Sequence, residues 1–398
     1  MVAQLSADAR EQDVLAELDE FVNLQNNLRD LGQNAVLIYP LILPDRLELV
    51  LITPYSEPTR YPIAVEQAEL NGAILAFRQA LTDPAQNPQP AAQRLYEWLI
   101  APMAADLEAI GAETILYAPD GALRYVPLAA LHDGDQWLVE RFRVNHITAA
   151  SLQDFTLRPD PQPRILAAAF SEGRYEIAQG DRRFTLGGLP FARVEVENLI
   201  AAFPGTTGLF NQDFSLAAVQ PSLNQHTIVH LATHATFVTG SPRDSFILFG
   251  NGDRLTLEDL KGWRGRLNRV DLVVLSACET GVGGDTLGNG EEILGFGYLM
   301  QEAGASAAIA SLWQVSDPGT ESFMTGFYQA LQAGQPKAEA LRQAQIALIN
   351  AQDAGAAGGD RAGAAPLSRD GTLANPGAYP GYSHPYYWAP FILIGNGL

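Results

Sequence analysis

The order of apolar and polar positions divides the chain into two kinds of segment. Over residues 10–33, Val14, Leu15, Leu18, Phe21, Val22 and Leu28 recur at helical intervals, which predicts an amphipathic helix. Two apolar runs follow, AVLIYPLIL (35–43) and RLELVLITPY (46–55). Joined by Pro44-Asp45-Arg46, they predict a β-hairpin. Helical periodicity resumes over 63–82 and 90–111, while TILYAP (114–119) and WLVERFRVNHI (137–147) predict strands. The stretch Arg158-Pro159-Asp160-Pro161-Gln162-Pro163 predicts a linker, so the expected domains are an α+β N-terminal region, 1–157, and a second domain, 158–398.

Beyond that break, short runs that are apolar at nearly every position alternate with helical stretches. RILAAAF (164–170), TTGLF (206–210), TIVHLATH (227–234), VDLVVLSAC (270–278), AAIASLW (307–313) and WAPFILIG (388–395) predict strands. Helices are predicted at 190–203, 214–222, 290–303, 318–333 and 336–350. Such continuous runs are buried on both faces, as a parallel sheet covered by helices above and below requires. The expected fold class is therefore α/β, a mostly parallel sheet with helices on both faces, preceded by the α+β region. Residues 351–381 hold nine Ala, seven Gly and three Pro with no apolar period, which predicts a flexible loop. It is either a regulatory or binding element or a tolerated surface insertion. No internal repeat is present, and no 34-residue tetratricopeptide pattern.

Composition narrows the function. With 47% hydrophobic and 18% charged residues, the chain of 398 can bury a core and is not mainly disordered. A net charge of −20, with no basic cluster, repels phosphate backbones and anionic headgroups, which argues against nucleic acid and membrane partners. The amino end lacks a signal-peptide pattern and no apolar run spans a bilayer, so the expected location is cytoplasmic. One cysteine excludes a disulfide framework and a multi-Cys zinc site, and no H-E-x-x-H spacing points to a catalytic metal. The glycine run 281–290 fits no phosphate-loop pattern, and Asp285, Glu291 and Glu292 would repel phosphate; no cofactor is expected.

In an open parallel sheet, ligands collect at the carboxyl ends of the strands. Two predicted strands end in reactive side chains, His234 and Cys278. If these strands are neighbours, an imidazole lies beside a thiol, the pairing that nucleophilic catalysis uses to make a thiolate. His230 is mid-strand and reads as a satisfied core histidine. A lone cysteine is as often a small buried hydrophobe, but Cys278 precedes a polar, Gly-rich loop, Glu279 to Asp285, whose backbone N–H groups could turn toward an oxyanion.

Taken together, HLATHATF (230–237), LTLEDL (255–260), DLVVLSACETG (271–281), GASAAIASLWQVSD (304–317) and HPYYWAPFILIG (384–395) resemble the CHAT domain, a caspase-like peptidase domain often attached to tetratricopeptide repeats in bacterial proteins. YAPDGALRYVPLAAL (117–131) resembles its upstream part, so the resemblance begins at about residue 115. It implies a cysteine endopeptidase of the caspase, gingipain and separase clan, with His234 as general base and Cys278 as nucleophile. The oxyanion would be held by the backbone N–H groups of Cys278 and Ala235, where many relatives have glycine at the second position. Metacaspases, which cleave after Arg or Lys, carry an Asp two positions before the cysteine; here Ser276 stands there.

Ser276, Glu279, Asp285, Trp313 and Asp317 are the candidate substrate-binding residues; for Asp244, Glu279, Asp285 and Asp317 the alternative is a solvated charge, and for Trp313 a core or rim aromatic. The implied function is cleavage of specific protein targets in a bacterial regulatory or defence pathway. The implied partners are a protein or peptide substrate and a regulatory partner or tetratricopeptide array. The 10–33 helix is then either the end of such an array or a dimer or partner contact. Two alternatives stand beside this reading. One is a non-catalytic caspase-like interaction module. The other is an amidotransferase-like hydrolase, although Thr236 occupies the place of its usual Glu.

Overall fold

A computed structural model describes residues 23–148, 157–179, 182–238, 241, 243–276, 279–280, 291–350 and 382–398. Residues 23–31 form α1, inside the segment whose periodicity is helical; positions 10–22 lie outside the described residues. The hairpin forms as the two apolar runs require: β1 (Ala35–Ile42) pairs antiparallel with β2 (Leu47–Ile52). A third strand, β3 (Thr59–Ile63), extends it. Its exposed, proline-containing sequence carries no apolar run, as befits a sheet edge. Helices α2 (Gln67–Thr82), α3 (Gln89–Leu99) and α4 (Ala104–Ile110) come next, and then β4 (Thr114–Tyr117).

The run 137–147 is not one strand. Glu140 Oε2 accepts the backbone N–H of Trp137 at 2.7 Å, closing a short helix, α5 (Leu138–Arg141), before β5 (Arg143–His146). An acid three residues after the helix start satisfies a donor that the first turn leaves open, and this overrides the apolar pattern.

After the proline-rich segment come β6 (Ile165–Ala169) and a hairpin that apolar periodicity did not reveal, β7 (Arg174–Gln179) and β8 (Arg182–Gly187). Then come α6 (Pro190–Ala202), β9 (Thr207–Phe210), α7 (Leu216–Ser222) and β10 (Ile228–Ala232). Three short strands, β11 (Ala235–Phe237), β12 (Phe246–Leu248) and β13 (Arg254–Thr256), lead to α8 (Leu257–Leu260). The remainder is β14 (Leu272–Leu275), β15 (Glu279–Thr280), α9 (Glu291–Glu302), β16 (Ala307–Ser311), α10 (Asp317–Gln332), α11 (Lys337–Ile349), α12 (Pro385–Trp388) and β17 (Phe391–Gly395). The predicted loop 351–381 lies outside the described residues.

Eleven strands make one sheet in the order β3-β2-β1-β4-β5-β17-β16-β14-β10-β6-β9. Strands β1, β4, β5 and β17 run parallel to one another, and so do β16, β14, β10, β6 and β9. The two blocks meet at β17 and β16, which pair antiparallel, so their carboxyl ends lie on opposite edges of the sheet. The last strand of the chain thus joins β5, which precedes the proline-rich segment, to β16, which lies beyond it.

Both faces are covered. On β10, His230 contacts Tyr328 of α10 and Glu195 of α6, whereas Val229 and Leu231 pack with Val219 of α7 and with Phe296 and Met300 of α9. Neighbouring residues of a strand point to opposite faces, so this alternation puts helices on each side. Helix α11 is also tied to the front of the chain: Arg342 donates to the carbonyls of Val139 at 2.8 Å and Glu140 at 2.6 Å, and Arg143 Nε lies 2.8 Å from Glu339. The fold is the expected α/β arrangement with a large, mostly parallel sheet.

Candidate functional site

The strands that carry the two candidate side chains are neighbours. β10 and β14 pair in parallel, with His230 opposite Val274 and Leu231 opposite Leu275, and the Ser276 N–H donates to Leu231 at 3.2 Å. His234 is not, however, the end of that strand. β10 stops at Ala232, and Ala235-Thr236-Phe237, beyond the strand predicted at 227–234, is strand β11 of a second, four-stranded sheet in the order β13-β12-β11-β15. In that sheet β11 pairs in parallel with β15, with Thr236 opposite Glu279 and Phe237 opposite Thr280. The same two stretches of chain are therefore paired twice, once before and once after the histidine.

Between the two pairings the register slips. Partners are 44 positions apart in β10–β14 and 43 apart in β11–β15, so the histidine side is one residue longer. An extra residue on one strand breaks the alternation of faces and re-aims the side chains beyond it. Position 278 lies outside the described residues, as does Asp285. Residue 277 lies outside them as well, but Ser276 and Glu279 are described, and the chain between their two Cα atoms can span at most about 11 Å.

His234 is buried, 6% exposed, with its ring edge-on to Phe170 at 6.1 Å. Its Nε2 lies 2.6 Å from the carbonyl oxygen of Gly187, the last residue of β8. A carbonyl only accepts, so Nε2 carries the hydrogen and the basic lone pair is on Nδ1. Sequence reasoning missed this partner, since a backbone oxygen has no residue-type signature. The hairpin end is tightly seated: a Cβ at Gly188 would come within 2.5 Å of the Ser171 carbonyl and the Glu172 nitrogen.

The backbone of Ala235 has a defined direction. Leu248 N–H donates to His234 O at 2.9 Å in the antiparallel ladder of β11 and β12. Hydrogen-bonded and non-bonded pairs alternate along such a ladder. The next pair, Ala235 with Ile247, is therefore non-bonded, and the Ala235 N–H turns away from β12 toward the β15 side.

The other candidates are spread around this edge. Ser276 is buried at 2% exposure and shares a small pocket with Asp317 and with Glu195, a residue not foreseen as part of the site. Asp317 Oδ2 accepts the N–H of Phe191 at 2.8 Å, in the first turn of α6, and burial raises its pKa, with the nearby Glu195 adding to the effect. Trp313 lies just past β16 and is buried, and its indole N–H donates to the Tyr386 carbonyl at 3.0 Å. Asp244 accepts the Ser241 hydroxyl at 2.5 Å in the turn before β12. Glu279 is paired by its backbone in β15.

His230 is a core histidine, fully buried. Its Nδ1 is 2.9 Å from the Tyr328 hydroxyl, and its Nε2 is 2.8 Å from Glu195 Oε1, off the axis that a hydrogen bond requires. Among the described residues, no group of three or more His, Cys, Asp or Glu side chains could hold a metal ion, and no helix is long and apolar enough to cross a membrane.

Known proteins match at two levels. The chain superposes on separase in the Saccharomyces cerevisiae separase–securin complex with TM-scores of 0.54 and 0.51 in two crystal structures, at 9% identity in each. The alignments cover 94% of this chain and only 30% and 31% of the separase chain. The Arg-specific cysteine proteinase gingipain R also matches, at a TM-score of 0.44 and 10% identity over 83% of this chain and 74% of its own. No curated protein matches the sequence. At such identities the likeness concerns the fold, which is caspase-like. The family model for the CHAT domain, in contrast, matches residues 89–396, starting upstream of the motif at 117–131. With that match over most of its length, the chain belongs to the CHAT-domain family.

Proposed function

We propose that this chain is a cysteine endopeptidase with His234 as general base and Cys278 as nucleophile. The observation that carries the proposal is the double pairing. β10 pairs with β14 before His234 and before position 278, and β11 pairs with β15 after both, so the described strands that flank the two positions are neighbours at the carboxyl edge of the second block. The Gly187 carbonyl fits the same role: it leaves Nδ1 of His234 as the proton acceptor.

In this mechanism Nδ1 takes the thiol proton, and the Cys278 sulfur attacks the scissile carbonyl. The resulting oxyanion is held by the N–H groups of Cys278 and Ala235, the second of which faces the β15 side. The imidazolium then protonates the leaving amine, giving a thioester. Water, deprotonated by His234, hydrolyses it and restores the thiol. Ser276 and Asp317 contribute to the substrate pocket, with Trp313, Glu279 and Asp285 around it. The substrates are specific protein targets in a bacterial regulatory or defence pathway, and a partner or repeat array controls access.

A second reading, a caspase-like interaction module with a quiet dyad, is favoured by one observation: the pocket beside Ser276 measures about 20 Å³, room for a single water. The two readings separate on one measurement. Because Cys278 is the sole cysteine, intact-protein mass spectrometry reports its modification directly. A reactive thiolate takes up iodoacetamide rapidly near neutral pH, and peptide cleavage disappears in Cys278→Ala. An inert thiol and unchanged peptides would favour the interaction module.

A further inference from the structure

The ring and the backbone of His234 are each held by a neighbouring segment, and both segments rest on Asn211. This residue directly follows β9, and its φ is +48°, a left-handed conformation that asparagine tolerates better than most side chains. Strands β9 and β6 pair with Phe210 opposite Ala169, which brings Asn211 beside the turn that leaves β6. Its Oδ1 accepts three hydrogen bonds from that turn: the Ser171 N–H at 2.8 Å, the Ser171 hydroxyl at 3.2 Å and the Glu172 N–H at 3.0 Å. One amide oxygen thus fixes the turn between β6 and β7, while the Glu172 carboxylate faces Arg193 at 3.6 Å.

The turn in its place seats the end of the β7–β8 hairpin. Gly188 leaves no room for a Cβ against Ser171 and Glu172, and its N–H donates to the Gly173 carbonyl at 2.9 Å. Leu189 N–H donates to the Phe170 carbonyl at 2.9 Å. Gly187, one residue earlier, is placed by the same contacts, and its carbonyl oxygen lies 2.6 Å from His234 Nε2. On its other side, the backbone of Asn211 packs against Gly250, where again a Cβ would not fit. Gly250 stands two residues after Leu248, whose N–H donates to the His234 carbonyl at 2.9 Å. The Tyr175 hydroxyl of β7 donates to Gly250 O at 2.9 Å and ties the hairpin to that loop. The supports of the ring and of the backbone therefore meet at one residue.

We propose that Asn211 is a positioning residue: it keeps the Gly187 carbonyl on Nε2 of His234 and so keeps Nδ1 as the atom that accepts the thiol proton. This rests on the endopeptidase reading. A carbonyl on the Nε2–H does two things. It excludes the other tautomer, and it stabilises the imidazolium that forms when the thiol gives up its proton. Without the Asn211 side chain the turn and the hairpin end lose their common anchor, the ring populates both tautomers, and the imidazolium–thiolate pair weakens. Glycine at 211 keeps the left-handed backbone and removes only the side chain. Aspartate keeps an acceptor oxygen and tolerates the same backbone. The two variants separate the role of the oxygen from that of the fold.

The test uses the full chain. The rate of iodoacetamide labelling of Cys278, followed by intact-protein mass spectrometry between about pH 5 and about pH 10, gives the midpoint at which the thiolate forms. In Asn211→Gly that midpoint should rise by about one pH unit, the effect of one hydrogen bond to a charged group. Labelling below the midpoint then falls about tenfold, and labelling at the alkaline end stays as in wild type. Asn211→Asp should restore the wild-type profile. If Asn211→Gly does not fold, Gly188→Ala displaces the hairpin end from the other side and should give the same shift. In protein labelled with nitrogen-15 histidine, the His234 ring should report the Nε2–H tautomer in wild type and a mixture in Asn211→Gly. An unshifted profile and an unchanged tautomer in Asn211→Gly, beside a shifted profile in His234→Ala, would overturn the positioning role and leave the endopeptidase standing. A shift that Asn211→Asp does not reverse would overturn it as well. Wild-type and His234→Ala profiles that coincide would overturn both readings.

Discussion

The two parallel blocks of the sheet each end beside a buried histidine, and the surroundings of the two rings differ. His146 closes β5 of the first block, and His234 lies just past β10 of the second, on the opposite edge. Around His146 the packing is sealed: the ring lies edge-on to Tyr117 at 5.5 Å, and burial lowers its pKa to about 4. Such a group stays neutral near pH 7. Around His234 the sheet splits: one residue more on its side starts a second small sheet, and a hairpin carbonyl holds the ring. A histidine at a strand end is therefore not in itself a site. The candidate site lies where two paired strands leave one sheet and pair again in another.

The amino edge of the second block, level with His146, carries a different device. Lys337 at the start of α11 is 2% exposed and bonds both oxygens of Asp271, at 2.8 and 3.0 Å, just before β14. Burial lowers the lysine's pKa, and the Asp271 charge opposes that shift. One edge of the block thus holds a structural ion pair and the other the candidate chemistry.

The contrast can be broken at its centre. His234→Ala should reduce the rate of peptide cleavage by about a thousandfold or more, since it removes the proposed base, whereas His146→Leu should leave the rate of the folded protein near that of wild type. Comparable losses in both would remove the distinction between the two edges; kcat/KM for one peptide, measured beside the melting temperature, decides. Next in size is the ion pair. Asp271→Ala should destabilise the fold by about 3–5 kcal/mol because it leaves a buried charge without a partner, and Lys337→Met should cost clearly less. Urea unfolding of the two variants gives the order, and the reverse order would show that the lysine is not buried as a cation.

The smallest effect concerns pH. His146 has its pKa depressed in the fold, so the unfolded chain binds the extra proton. Its contribution to stability is complete above the unfolded pKa of about 6.5 and is lost as pH falls toward about 4. The loss amounts to about 3 kcal/mol at most. Thermal unfolding of wild type between pH 7 and pH 4.5 should show this slope, and His146→Leu should flatten it. An unchanged slope in the variant would mean that the ring is not held neutral by burial.

Strands apolar at every position, the hairpin at 35–52 and the α/β alternation were set by local sequence, because burial on both faces leaves no other pattern for β6, β10, β14 and β16. So was the choice of His234 and Cys278 as the candidate pair, which rests on residue type and on motifs matching one family. Tertiary structure alone decided the rest. The opposed polarity of the two blocks depends on which strand β17 pairs with, and its own sequence is equally apolar either way. The short strands β7, β8, β11 and β13 exist because they pair, not because their residues favour strands. The partner of His234 is a backbone oxygen, and the carboxylates near Ser276 come from two helices more than 100 positions apart in sequence. Neither leaves a periodic or compositional trace, because hydrogen bonding and charge act through space, and only the folded chain brings those atoms together.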